Sequence, residues 1–345
     1  MSDIKFNHLE KWFELSDAEK GEIYTRVAFA KGLPSMAIEK DWWVVNSLAV
    51  VFSLEISPFL LFKGGTSLSK CWKLIERFSE DIDLLVDRRF FGFAEDLERS
   101  EIRKLRKVSC RYLTTEFVEL LQRKFDEVGF KDVQVLARKF PNHDQDPVII
   151  EIYYKKLVEQ DDYTKPGIIL EIGSRSLREP FSKMPVISFA TEEKASSGLT
   201  KEDISIPAVN PERTFLEKIF LIHETLAGEY DPIKSNRMSR HLYDLVKINK
   251  TQFASIALGA TELYSTIVEH RSKFTRISGI DYSKHQPSQI VLIPGEQVLK
   301  VWKSDYEKMR EFMIFGEAPT FNELIPELRS LQQKINNLPD VKLHF

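Results

Sequence analysis

Cysteine is nearly absent. The 345 residues contain two, Cys71 and Cys110, and neither has a Cys or His neighbour at zinc-ligand spacing. Low cysteine use fits a reducing compartment. The seven histidines are scattered. Neither sign of charge is in excess: 49 Lys and Arg against 52 Asp and Glu give a formal net charge of −3. A chain-wide basic footprint for nucleic acid is therefore missing. Long hydrophobic runs are missing too. The most apolar stretch, Val44 to Phe62, is interrupted by Asn46, Glu55 and Pro58, so it does not read as a membrane span. The opening Met1-Ser2-Asp3-Ile4-Lys5 has no basic-then-apolar leader pattern. These absences lead to the expectation of a cytoplasmic protein. No internal repeat or low-complexity segment is visible.

With 43% hydrophobic residues the chain can bury a sizeable core, as two domains or as one with extensions. The most informative segment is Phe62 to Asp87, FKGGTSLSKCWKLIERFSEDIDLLVD. A double glycine follows an apolar run and opens a helical pattern, with Leu68, Cys71, Trp72 and Ile75 at three- and four-residue spacing. Two aspartates then sit two apart in a second apolar run. Side chains alternate along a strand, so Asp81 and Asp83 face one way, with Cα atoms roughly 6.5–7 Å apart. Two such carboxylates can bracket a divalent cation, and hard oxygen ligands suit Mg²⁺. The glycines let the backbone approach a phosphate. Either feature alone is common, as an exposed acidic pair or as a turn. Their succession, strand, Gly-Gly, helix, Asp-x-Asp strand, resembles the minimal nucleotidyltransferase core of the DNA polymerase beta superfamily.

Residues 1–56 read as helices. Trp12 and Phe13 lead to Ser16-Asp17-Ala18-Glu19, a capping box, and a second helix starts near Ser35. Short strands are expected at 59–63 and 81–87, and one long charged helix over 99–127. Strand-like runs follow at 133–139, 148–154 and 168–172. Residues 181–199 read as loop and edge strand, 142–147 and 160–166 as turns. Helices dominate from Pro211 onward. The expected fold class is α+β, with a mixed-sheet core and a large helical C-terminal region. The expected divisions are 1–56 (N-terminal helices packed on the core), 57–205 (α/β core) and 206–345 (helical domain).

Further candidate positions lie outside the first segment. Glu171 closes the apolar Gly167-Ile168-Ile169-Leu170; it is a third metal ligand, a base, or a structural acid bonded to Arg175. Asn210-Pro211-Glu212 is a helix start, with Asn as cap. Lys218 follows in an apolar run, where a lysine either snorkels outward or reaches a triphosphate as a point charge. Arg240 and Asp244 share a helix face, as a surface pair or as a polar group aimed into a site. Arg99, Arg103, Lys104, Arg106, Lys107 and Arg111 fall within thirteen residues, as a solvated face or an RNA-facing patch; Arg103, Arg106 and Lys107 are the RNA candidates.

Taken together, these segments resemble the AbiEii/AbiGii toxin family of bacterial nucleotidyltransferases over most of the chain. The resemblance is carried by Ile38-Glu39-Lys40-Asp41-Trp42-Trp43, Phe62–Lys70, Arg77–Asp83, Leu170–Gly173, Arg213–Lys218 and Arg240–Leu245. Trp302, Asp305-Tyr306, Met309-Arg310 and Phe315-Gly316 add to it. It implies a nucleotidyltransferase-like core and an enzyme using Mg²⁺ or Mn²⁺. It also implies toxins of type IV toxin–antitoxin or abortive-infection (phage-defence) systems, usually encoded beside an antitoxin. Characterised members transfer nucleotides, some to the 3′ end of tRNA. By position, Ser79 and Asp81 match a nucleotide- and metal-binding Ser-x-Asp, Lys218 an essential lysine, and Asp244 a fourth-motif acid. The expected site is then Asp81 and Asp83 as metal ligands; Lys63, Gly64, Gly65, Thr66, Ser69, Ser79 and Lys218 at the nucleotide; and Asp244 or Glu171 as base or lysine-orienting group. The rival expectations are a phosphotransferase on the same fold and a non-catalytic nucleotide- or partner-binding module.

Overall fold

A computed structural model describes residues 4–79, 81–94, 96–159, 167–175, 180–193, 198–199, 204–228 and 237–345. The expected turn at 160–166 lies outside the described residues, as does the 229–236 connection. The chain forms two compact units. One comprises Met1–Lys73 and Arg77–Val209; the other comprises Leu74–Glu76 and Asn210–Phe345.

The first unit begins with helices α1 (Glu10–Glu14), α2 (Asp17–Lys31) and α3 (Ser35–Phe52). Ser16 and Glu19 form the capping box that starts α2. Helix α3 is rich in apolar residues and every residue from Met36 to Phe52 is buried, the charged Glu39, Lys40 and Asp41 included, as expected of a helix inside a core. Then come β1 (Leu60–Lys63), α4 (Gly64–Lys70), β2 (Asp81–Val86), α5 (Arg99–Thr114) and α6 (Glu116–Val128). Strands β3 (Gln134–Ala137), β4 (Val148–Tyr153), β5 (Ile168–Gly173) and β6 (Phe181–Val186), the short α7 (Phe189–Glu192) and β7 (Ile204–Val209) complete the unit.

Among the described residues the strands form one seven-stranded sheet, ordered β3-β4-β5-β2-β1-β7-β6. The pairs β2–β5 and β1–β7 are parallel and the rest antiparallel. The register divides the residues between two faces. One face carries Phe62, Ile82, Leu84, Leu170 and Ile172, each fully buried. Burying each such side chain stabilises by roughly 1.5–3 kcal/mol. The other face carries Asp81, Asp83 and Glu171, all half-buried, with the buried Leu61, Leu85 and Val209 clustered beyond them.

The second unit is helical: α8 (Pro211–Ala227), α9 (Ser239–Asn249), α10 (Gln252–Gly259), α11 (Thr261–His270), α12 (Glu296–Phe312) and α13 (Phe321–Asn336). The fold class is thus α+β, with a mixed sheet and a helical C-terminal region.

Four local expectations need correction. The helix over 99–127 is two helices broken at Thr115, whose φ/ψ of −122°/−89° leaves the helical region. The buried Leu105, Leu113, Phe117 and Leu121 stay in phase across the break, so apolar spacing conceals it. Helix α4 stops at Lys70, and Ile75 lies beyond it; Lys73 has φ 53°, which no right-handed helix accommodates. Strand β7 went unrecognised because Pro207 interrupts its pattern. Asn210 does stand at the start of α8, with Pro211 in the first turn, but its side chain makes no capping hydrogen bond.

Candidate active site

Aspartate is a poor strand former, yet two sit at the start of β2, a strand with neighbours on both sides. A local rule broken on a central strand marks a place where function competes with stability. The pairing places Lys63 of β1 opposite Asp83, and Asp83 opposite Glu171 of β5. Lys63, Asp83 and Glu171 therefore form a row across three adjacent strands, spaced by roughly 4.8 Å per strand. Asp81, two residues along, shares the face. Among the described residues no three His, Cys, Asp or Glu side chains converge as a complete metal cage. The donor set still fits Mg²⁺, which commonly takes one or two carboxylates and completes its shell with water and substrate phosphate.

The double glycine has a steric reason. Gly64 has φ 78°, and a Cβ there would stand 1.9 Å from Asp83 Oδ2. A Cβ on Gly65 would stand 2.5 Å from Arg77 Nη2 and 3.5 Å from Ser79 Oγ. The turn thus lies directly against one carboxylate and one buried guanidinium. Thr66, also buried, fastens α4 to β2: its hydroxyl donates to the Asp81 carbonyl and lies 2.8 Å from Ser79 Oγ. Ser69 is buried and donates to the Arg77 carbonyl at 3.2 Å. Of the two candidate serines, Ser79 is the one left half-exposed beside the aspartates.

The far end of α4 is pinned from α3. Lys70 Nζ lies 2.5 Å from Asp41 Oδ1, and both side chains are almost fully buried. Asp41 Oδ2 also accepts from the Phe189 N–H at 2.6 Å, and the Lys70 ammonium lies 3.9 Å from the Phe189 ring centroid. Burial drives the Asp41 carboxyl up and the Lys70 ammonium down from their ordinary values, and each partner's charge opposes that shift. Neither Arg77 nor this pair had an assigned role from sequence. For Asp41 and Lys70 the signal was a charged residue inside an apolar helical pattern.

Lys218 and Asp244 come together in the second unit. Lys218 Nζ is 2.8 Å from Asp244 Oδ2, with side-chain exposures of 7% and 0%. Lysine snorkelling is thereby excluded, as is a surface role for Asp244. His241 Nδ1, unassigned from sequence, lies 3.2 Å from the same ammonium. Helix α9, which carries both partners, is fixed at its start by Asp305, whose Oδ2 accepts from the Ser239 N–H at 3.2 Å and hydroxyl at 2.5 Å.

On α5, Arg99, Arg103, Lys107 and Arg111 recur every four residues and are all exposed, with Lys104 alongside. Arg106 is turned away from this stripe: its Nε donates to the Asp144 carbonyl at 2.9 Å. Arg175, the alternative partner considered for Glu171, pairs with the buried Asp146 at 3.2 Å.

Paired strand carboxylates against a Gly-Gly turn are a donor set that suits metal-assisted chemistry on a phosphate. A profile of the family described as "Nucleotidyl transferase AbiEii toxin, Type IV TA system" matches residues 52–336. The chain belongs to this family and is a nucleotidyltransferase. Among solved structures it is similar to MenT4, the nucleotidyltransferase toxin Rv2826c from Mycobacterium tuberculosis H37Rv. That match has 14% identity and a TM-score of 0.45, covering 93% of this chain and 98% of that one. It is also similar to JHP933 from Helicobacter pylori, with 14% identity and a TM-score of 0.43, covering 88% and 93%. Both are too distant to carry an argument about residues. No curated protein matches. No helix among the described residues is long and apolar enough to cross a membrane.

Proposed function

We propose that this chain is a Mg²⁺-dependent toxin that transfers a nucleotide from an NTP to an RNA acceptor, the 3′ end of tRNA being the preferred candidate. The observation that carries this reading is the Lys63–Asp83–Glu171 row with Asp81 on the same face and Gly64 against Asp83. Asp81 and Asp83 would hold the metal, which when bound neutralises triphosphate charge. The Gly64-Gly65-Thr66 turn, Lys63 and Ser79 face the phosphates. The acceptor hydroxyl attacks the α-phosphorus in line, and the bond to pyrophosphate breaks. Lys218 offsets charge on the departing pyrophosphate. Asp244 is fully buried and already paired, which suits orientation of the lysine. Glu171 is half-buried beside Asp83, which favours it as acceptor of the hydroxyl proton. Family membership adds an antitoxin as partner, and a cytoplasmic site of action follows from an RNA target.

Incubation with total RNA, Mg²⁺ and each α-labelled NTP in turn tests the reading. Labelled RNA is expected from one NTP with wild type and from none with Asp81→Asn or Asp83→Asn. Transfer of a γ-label instead would make the protein a phosphotransferase. RNA labelling that survives both substitutions would place the metal elsewhere. Expression in a bacterial host should slow growth, and Asp81→Asn should relieve it at equal protein level; equal growth would count against a toxin role in that host.

A further inference from the structure

Two acceptors of the Lys218 ammonium are Asp244 and His241, and His241 is the informative one. An ammonium offers only donors. With His241 Nδ1 at 3.2 Å, the imidazole accepts through Nδ1 and carries its proton on Nε2. Asp244 Oδ2 stands at 2.8 Å. His241 and Asp244 are three apart on α9, hence on one face, and Asp305 anchors the start of that helix. Lysine is a point charge on a flexible stem. One acceptor leaves it free to swing; two acceptors on one anchored face fix its position. The chemistry of the two differs usefully. Asp244 already balances the ammonium's formal charge, and a second carboxylate would make the group net negative toward a polyphosphate. A neutral imidazole adds direction without adding charge.

We propose that His241 is a positioning residue that aims the Lys218 ammonium. This rests on the reading of Lys218 as the group that offsets pyrophosphate charge. An aim needed as that charge develops is felt in kcat more than in KM. Misplacement by about 1 Å can cost on the order of 100-fold.

Three substitutions decide it. In His241→Asn the amide oxygen falls near the position of Nδ1. In His241→Gln it reaches one bond further, toward the position of Nε2. His241→Leu supplies no acceptor. All three are assayed for RNA labelling at a temperature below their measured Tm. For Leu and Gln, kcat is expected to fall on the order of 10- to 100-fold, with KM for the NTP changed less than about threefold. Asn is expected to stay within about threefold of wild type. A merely structural need for a polar side chain would not separate Asn from Gln. Equal kcat for Asn and Gln, or wild-type kcat for Leu, overturns the proposal. Lys218→Met in the same assay isolates the underlying reading: if it retains activity, that reading fails whatever the His241 variants do. If it is inactive while Leu at 241 is not, only the positioning role fails.

Discussion

Gly64, the first residue of α4 directly after β1, and Asp83 of β2 stand so close that no side chain fits between them: a Cβ on the glycine would lie 1.9 Å from the carboxylate oxygen. The Gly64 φ of 78° adds a second reason for glycine. Gly64→Ala should therefore push Asp83 out of line while costing only about 1 kcal/mol or slightly more in backbone strain. The expected outcome is loss of nucleotide transfer on the order of 100-fold with the thermal transition retained. Paired activity and melting measurements check this; wild-type activity in the alanine variant would show that the Asp83 position is not critical.

Much of this site was legible because its geometry is local. Asp81 and Asp83 share a face by the period of a strand, and Gly64 follows β1 directly. The sheet register was not legible. Glu171 lies 88 positions after Asp83, and the pairing that sets them side by side depends on which strands neighbour one another. The same holds for Lys70 and Asp41, whose contact is a matter of α4 packing against α3. Lys218 illustrates the remaining gap. Its apolar surroundings fit both snorkelling and burial, and the choice was made by Asp244 and His241 on another helix. Secondary structure failed where one residue overrode a continuing pattern, as at Thr115, Lys73 and Pro207.

Lys218 and Asp244 should behave as a coupled buried pair. Removing one charge takes its ion-pair partner from the other inside the core, at a cost of about 3–5 kcal/mol. Lys218→Met and Asp244→Asn should each destabilise the protein, whereas the double variant should recover much of that loss. A urea-unfolding cycle measures the coupling. Nucleotide transfer should remain absent in all three. Additive losses would mean that the pair does not interact as its geometry indicates.

His223 provides a pH test of the helical unit. It is buried, and its Nδ1 accepts from the Val291 N–H at 3.2 Å. Burial, helped by the neighbouring His285 and opposed by Glu224, pushes its pKa down to about 4 from 6.5. The folded state thus binds fewer protons than the unfolded one between these values. Its contribution is fully present above about pH 6.5 and is lost as pH falls toward 4, at most about 3 kcal/mol. His223→Asn keeps an acceptor near Nδ1 and cannot titrate there, so its stability should fall less over this range. Urea unfolding at several pH values between 6.5 and 4 checks this. Identical pH profiles for both proteins would remove His223 as the cause.

The exposed stripe on α5 gives the acceptor hypothesis a quantitative test despite the near-neutral net charge of −3. Arg103, Lys107 and Arg111 share one exposed face, whereas Arg106 is held by the Asp144 carbonyl. If the stripe contacts RNA, binding weakens as salt rises, with a log–log slope of about −0.7 per neutralised phosphate for single strands. Replacing Arg103, Lys107 and Arg111 together by alanine should make the slope shallower by up to about 2 units and lower RNA affinity while leaving Mg²⁺·NTP binding intact. Arg106→Ala should leave the slope unchanged. RNA titrations at four or more salt concentrations separate the cases. A slope unaffected by the triple replacement puts the RNA surface elsewhere. A loss with Arg106→Ala comparable to that of the triple variant would mean that this arginine leaves Asp144 to engage RNA. Absence of RNA binding by wild type, together with label appearing on a protein or small molecule, would reassign the acceptor class while leaving the carboxylate site as the place of transfer.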